Sequence, residues 1–258
     1  MVKAQSHLDM LKKKYMHLLI IVILLLVIIR CHSPLQKQNN PQTMLWAWEK
    51  HVDLSFIDPQ KMGVAFLSSS IYIKGKNVIA EKRFKPLVVP HHTFLIAVIR
   101  ITTNHINPPE FTRELRTRVI ENILEQSRVN NVRGIQIDFD ATKSERNFYK
   151  ALLQDLRKNL PPEKSLSITA LVSWCMKDNW LEGLPVDEVV PMLFRMGPRT
   201  DSILHILESG NDFDASICRN ALGISLDEPV AKIPPHRKLY IFSPHPFTPE
   251  IKKFASSH

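Results

Sequence analysis

Glycine is scarce in this chain, 7 in 258 residues, and none falls into GxGxxG or GxxxxGK[ST]. Neither backbone cradle for a nucleotide phosphate is therefore present. There is no GxSxG elbow to expose a serine nucleophile. The three cysteines, Cys31, Cys175 and Cys218, form no CxxC, and no His-x3–5-His pair occurs after residue 43. No metal or cofactor site is expected from those spacings. Basic residues do not interleave with aromatics in a stripe, which argues against a nucleic-acid partner. Neither an internal repeat nor a low-complexity tract interrupts the chain.

The formal net charge of +9 is unevenly placed. Residues 1–40 carry Lys3, Lys12, Lys13, Lys14, Arg30 and Lys37 against Asp9 alone, a balance of +5, leaving +4 for the rest. The lysine triplet precedes an unbroken apolar run, Leu18 to Ile29, too short for a comfortable membrane span of about 20 residues but suited to a signal core. Lysines on the amino side favour a cytoplasmic start, so the remainder is expected to be exported across the inner membrane. Ile28-Ile29-Arg30-Cys31-His32 offers no Ala-x-Ala cleavage site, and a membrane-anchored and a cleaved periplasmic form stay open. The expected layout is a signal sequence or hydrophobic anchor helix at 1–30, a polar tether at 31–43 and one domain at 44–258. In an exported chain an odd cysteine count leaves a thiol unpaired. A Cys175–Cys218 bridge is permitted, but the default expectation is two thiols packed as small apolar groups.

Apolar runs of strand length then alternate with helical stretches. Strands are expected near Leu45–Trp48, Gly63–Ser68, Thr93–Ile101, Gly134–Asp140, Ser167–Trp174, Val189–Arg195, Gly223–Asp227 and Lys238–Ser243. Phe111, Leu115, Val119, Ile120, Ile123 and Leu124 recur at helical spacing behind Pro108-Pro109. Phe148, Tyr149, Leu152, Leu153, Leu156 and Leu160 mark a second helix, with Ser144 as its expected N-cap. Eight strands in about 215 residues with intervening helices suggest a small (β/α)8 TIM barrel. Ile71–Phe84, centred on Gly75-Lys76-Asn77, reads as a β-hairpin inserted after strand 2.

Within the fourth strand, Gly134-Ile135-Gln136-Ile137-Asp138-Phe139-Asp140, side chains alternate between faces. Gln136, Asp138 and Asp140 share one face, and two acids stand at the carboxyl end, where parallel α/β proteins build their sites. Paired carboxylates can hold one proton near neutral pH while the partner stays ionised. Asp140 is the expected acid and Asp138 its ionised neighbour. Further binding candidates sit at other strand ends: Trp48 and Trp174 as flat platforms, Glu49 and Asp227 as acids, Arg195 as an anion partner or a clamp on the two carboxylates, and His245.

Arg133 to Asp140 resembles the strand-4 signature of chitinase-like glycoside hydrolases (family eighteen), Asp-Gly-x-Asp-x-Asp-x-Glu. Gly134 and Asp138 match, Arg133 and Gln136 replace acids, and Asp140 stands where that family has its proton-donating Glu. Met192-Leu193-Phe194-Arg195 echoes the family's Met-x-Tyr-Asp without its hydroxyl or its acid. Gly134 through Gly197 looks more like an uncharacterised bacterial family of glycoside-hydrolase-like barrels, a domain of unknown function. These resemblances imply a carbohydrate-active barrel of the cell envelope. It would hydrolyse or bind N-acetylhexosamine-type glycans, polysaccharide or peptidoglycan-like, with the strand-4 carboxylates. The alternative is a non-catalytic glycan-binding or protein-interaction barrel that has lost hydrolysis.

Overall fold

The computed structural model describes residue 16 and residues 40–254 apart from 198, 199, 229 and 231. Apart from residue 16, the expected signal or anchor lies outside the described residues, as do residues 31–39 of the tether, Cys31 among them. Among the described residues no helix is long and apolar enough to cross a membrane.

Among the described residues eleven strands form: β1 (Thr43–Ala47), β2 (Val52–Asp53), β3 (Met62–Lys74), β4 (Asn77–Lys82), β5 (Leu87–Val88), β6 (Leu95–Thr103), β7 (Val132–Asp138), β8 (Ser165–Leu171), β9 (Glu188–Met192), β10 (Ala221–Ser225) and β11 (Lys238–Phe242). Eight of them run parallel in the order β1-β11-β10-β9-β8-β7-β6-β3, and β1 also pairs with β3, which closes the cylinder. Closure removes both sheet edges and encloses a lumen that side chains must fill. Each of the eight expected strands corresponds to one of these.

The lumen is set by parity. Met44 and Trp46, Ile96 and Val98, Val190, Ala221 and Tyr240 pack into an interior cluster separate from the larger core between strands and helices. At mid-height the buried Trp46 indole N–H donates to Gln136 Oε1 at 2.8 Å, so the one deeply buried amide of β7 satisfies a donor that would otherwise cost about 1–3 kcal/mol. Gly223 opposes the indole: a Cβ there would lie 2.7 Å from Trp46 Cη2. Gly134 likewise lets β7 approach β8, since a Cβ would sit 2.9 Å from the Ser165 carbonyl. Nearer the base, Tyr240 Oη donates to Glu188 Oε2 at 2.5 Å and Lys238 Nζ lies 3.3 Å from the same oxygen, pairing a buried cation.

Outside the cylinder, α1 (Arg113–Ser127) and α2 (Arg146–Asn159) carry the expected stripes, with Leu115, Val119, Ile120 and Ile123 on one and Phe148, Tyr149, Leu152, Leu153 and Leu156 on the other buried. Thr112 Oγ1 caps α1 by accepting from the Leu115 N–H at 3.1 Å. For α2 the cap is not Ser144. A 3-10 turn, Lys143–Glu145, precedes the helix, and the Glu145 carboxylate accepts from both the N–H and the hydroxyl of Thr142 at 2.7 Å. Ser144 bonds only sideways, 3.0 Å from Thr142 Oγ1.

Two features differ from the sequence reading. The hairpin is not a separate unit: its first arm is the outer half of β3, which is 13 residues long, stays paired with β6 as far as Ile73 and turns through Gly75-Lys76 into antiparallel β4. The helices are fewer than a regular alternation implies. Helices follow β6 and β7, then β9 with α3 (Thr200–Glu208) and β11 with α4 (Ile251–Phe254). The described crossovers after β1, β3, β8 and β10 are made of short strands, 3-10 turns and loops.

Cysteines 175 and 218 are not packed thiols. They form a disulfide with Cα atoms 6.0 Å apart, tying the 3-10 turn after β8 to the turn before β10.

Candidate functional site

At the carboxyl ends of the strands the lumen widens into a cavity of about 360 Å3, a size that suits a small-molecule site. Its walls are mostly apolar: Trp48, Leu171, Met192, Phe194 and Phe242, with Trp46 at the bottom. Phe194 and Phe242 stack with ring centroids 5.6 Å apart and planes 4° from parallel. Into this apolar mouth project Arg100, Asp138, Asp140, Thr169 and Arg195.

Asp138 closes the lumen-facing row of β7, two residues above Gln136. Its Oδ1 accepts from the Thr169 hydroxyl of β8 at 2.7 Å. Burial is the main force on this carboxyl and raises its pKa to about 6; the Thr169 bond opposes the rise, the charge of Asp140 adds to it, and Arg100 opposes it. Asp140, one turn of the alternation further out, is exposed to the mouth. Its pKa is also raised, by desolvation, with Arg100 acting against it. Two neighbouring acids thus both hold protons more tightly than free carboxyls, the inner one well into the range of general acid–base chemistry.

Arg100 is the lumen-facing residue of β6 in register with Asp138. Its guanidinium lies 5.9 Å from the Trp48 ring centroid and lines both the main cavity and a smaller one of about 160 Å3 with Thr102, His105 and Thr142 on the other side of the carboxylates. The two acids therefore form a ridge with an aromatic chamber on one flank and a polar one on the other.

Of the other sequence candidates, Trp48 and Arg195 line the main cavity. Gln136 lies beneath it, fully buried and committed to Trp46 and Ser167. Arg195 does not clamp Asp138 or Asp140. It pairs instead with Asp227 at 3.8 Å and Glu228 at 3.9 Å, and its N–H donates to Glu228 Oε2 at 2.8 Å, holding a non-glycine residue at φ 53° on the rim. Asp227 is turned to that rim, takes a hydrogen bond from Ser225 Oγ and has its pKa lowered chiefly by it. His245 is exposed on the loop after β11, near enough to lower Asp227 slightly. Trp174 is no platform: β8 ends at Leu171, and Trp174 is buried edge-on against Trp180, centroids 4.8 Å apart. Glu49 points away from the main cavity into a neighbouring groove.

Arg100 and Thr169 escaped the sequence reading. Arg100 had a signal, as the one charge in the otherwise apolar run Leu95–Ile101. Thr169 had only its place in the alternation of Ser165, Ser167 and Thr169.

Residues 92–193 match the family described as Domain of unknown function (DUF3142). The matched segment runs from the approach to β6 through β9 and contains Arg100, Asp138, Asp140 and Thr169. No curated protein matches the chain. Among solved structures, the Bacillus cereus spore cortex-lytic enzyme SleL is 16% identical, with 76% of this chain and 55% of that one covered and a TM-score of 0.45. The chitinase domain of the spore coat protein CotE from Clostridium difficile is 13% identical, with 81% and 66% covered and a TM-score of 0.43. The chain thus spans 55% and 66% of the lengths of these two proteins.

Proposed function

We propose that this barrel acts on N-acetylhexosamine-type glycans of the cell envelope, with Asp138 and Asp140 carrying out glycoside hydrolysis. The observation that carries the reading is the raised pair at the aromatic mouth, with Asp138 lifted to about 6. Hydrolysis of a glycosidic bond needs a carboxyl that is still protonated near neutral pH beside a group that stabilises positive charge on the sugar. Asp138 is the proton store of the pair and Asp140, at the open end, is the group within reach of a bound sugar. Trp48, Phe194 and Phe242 offer apolar faces for a sugar ring. Release of reducing ends from N-acetylhexosamine polymers, lost in Asp140→Asn, tests the proposal; binding without turnover over long incubation would refute hydrolysis.

A second reading, a barrel that binds glycan without cleaving it, is favoured by Gln136, which is spent on Trp46, and by the Arg100 charge working against protonation of both acids. An exported, membrane-anchored or periplasmic location is part of the same proposal. The Cys175–Cys218 bridge supports it, because such bonds persist in oxidising compartments. Fusion of a reporter after Thr43 tests it, and activity of a reporter that works only in the cytoplasm refutes it.

A further inference from the structure

Two arginines line the mouth, and only one of them is matched by acids at close range. Arg195 lies 3.8 Å from Asp227 and 3.9 Å from Glu228. Arg100 is exposed, no acid lies within 4 Å of it among the described residues, and its guanidinium carbon is 5.9 Å from the Trp48 ring centroid. A guanidinium carries five donors in a fixed planar fork and keeps its charge at every working pH.

Arg100 also belongs to two cavities at once. The aromatic chamber of about 360 Å3 and the polar one of about 160 Å3 share Arg100, Asp138 and Asp140 in their walls. The polar chamber falls below the usual size of a whole ligand site, roughly 300–1,000 Å3, so it suits a substituent on a ring held next door. Thr102, two residues beyond Arg100 on the same face of β6, and His105 are both exposed and line it. The hydroxyls of Thr103 and Thr142 in the same wall are spent on the Glu145 carboxylate, at 2.6 and 2.7 Å. Arg100, Thr102 and His105 are left to meet a ligand.

One unmatched cation balances one negative charge. A carboxylate fits both that balance and the bidentate fork, whereas a phosphate monoester would bring about −1.5 to −2 charges next to Asp138 and Asp140. Those two acids resist an anion least when protonated, and burial holds both above the ordinary carboxyl range.

We propose that the mouth selects glycans whose sugars carry a carboxylate, with Arg100 as the specificity-determining residue. The ring packs in the aromatic chamber, and its carboxylate enters the polar one and takes the Arg100 fork, with Thr102 and His105 beside it. The proposal deepens the carbohydrate reading above and rests on it.

Calorimetry on the full chain with one oligosaccharide in two forms tests it. The first form is a peptide-free peptidoglycan glycan strand, in which alternate sugars carry a lactyl carboxylate; the second is the same strand with those carboxylates methyl-esterified. The two share rings and hydroxyls, so the ratio of their affinities isolates the charge. Wild type should prefer the free acid by about tenfold, equivalent to about 1.4 kcal/mol, and the preference should shrink as salt is raised. In Arg100→Gln the preference should vanish, and in Arg100→Lys, which keeps the charge without the fork, part of it should remain. Far-ultraviolet circular dichroism reports that each variant is folded. Equal affinity of wild type for acid and ester would overturn carboxylate selection and leave the carbohydrate reading standing. A preference that survives intact in Arg100→Gln would overturn the assignment to Arg100. Failure of both forms to bind would overturn the carbohydrate reading and this inference with it.

Discussion

Asp138→Asn should make the protein more stable, and only at high pH. The Asp138 carboxyl is raised from 3.8 to about 6, with burial as the leading cause. Because the folded-state value stands above the unfolded one, ionisation opposes folding: the penalty is absent below pH 3.8, grows between there and about 6, and is complete above. A rise of about two units at 1.36 kcal/mol each gives a penalty of roughly 3 kcal/mol at neutral pH. Asparagine keeps the shape and, through its carbonyl oxygen, keeps an acceptor for the Thr169 hydroxyl, but it cannot ionise. The variant should therefore match wild type at about pH 4 and exceed it by up to roughly 3 kcal/mol at about pH 7.5. Urea unfolding followed by tryptophan fluorescence at the two pH values reads the difference directly. A gap that is equal at both, or that narrows as pH rises, refutes the claim that burial holds this carboxyl up. Such a gain, coupled to lost activity, is the usual mark of a strained functional group.

Two other outcomes follow from the same structure. Replacing Cys175 and Cys218 by Ala removes a bond between residues 43 apart, which on loop entropy should cost about 2–4 kcal/mol; denaturant midpoints with and without reductant check this, and a wild-type midpoint indifferent to reductant contradicts it. Arg100→Gln removes the cation that opposes protonation of both acids, so the pKa values of Asp138 and Asp140 should both move further up; carboxyl-carbon NMR titration reads this, and unmoved titrations would show that Arg100 does not act on the pair.

Strand parity was legible in the sequence, and it carried most of the fold and the centre of the site. The alternation from Gly134 to Asp140 put Gln136, Asp138 and Asp140 on one face, and all three do follow the lumen side of β7 or its continuation. The same alternation excludes two of the expected strand-end groups. On β8, Thr169 and Leu171 face the mouth while Ile168 and Ala170 pack in the outer core, so Trp174 has the parity of the outer side, and past the end of the ladder at Leu171 its indole is buried there. On β1, Leu45 and Ala47 face the outer core, so Glu49, two residues past the strand's end, falls on the side away from the mouth that Trp48 enters. The disulfide was not legible, because a separation of 43 residues says nothing of distance until β8, β9 and β10 lie side by side.

The choice of cation beside the acids shows what a single-strand motif leaves out. Arg195 follows the carboxyl end of β9 and was an expected partner for the carboxylates, but two acids beyond β10, Asp227 and Glu228, hold it at the rim. Arg100 takes that place because parallel register sets it against Asp138 from the adjacent strand. A guanidinium near two carboxyls normally forces both to ionise. Here no ion pair to it forms within 4 Å among the described residues, its guanidinium carbon lies 5.9 Å from the Trp48 ring centroid, and desolvation outweighs it at both acids. Both acids are therefore held above the ordinary carboxyl range despite the nearby cation. On the proposed glycoside-hydrolase reading, a sugar ring displacing water from the aromatic wall would deepen their burial and raise both pKa values further, the direction that acid catalysis needs.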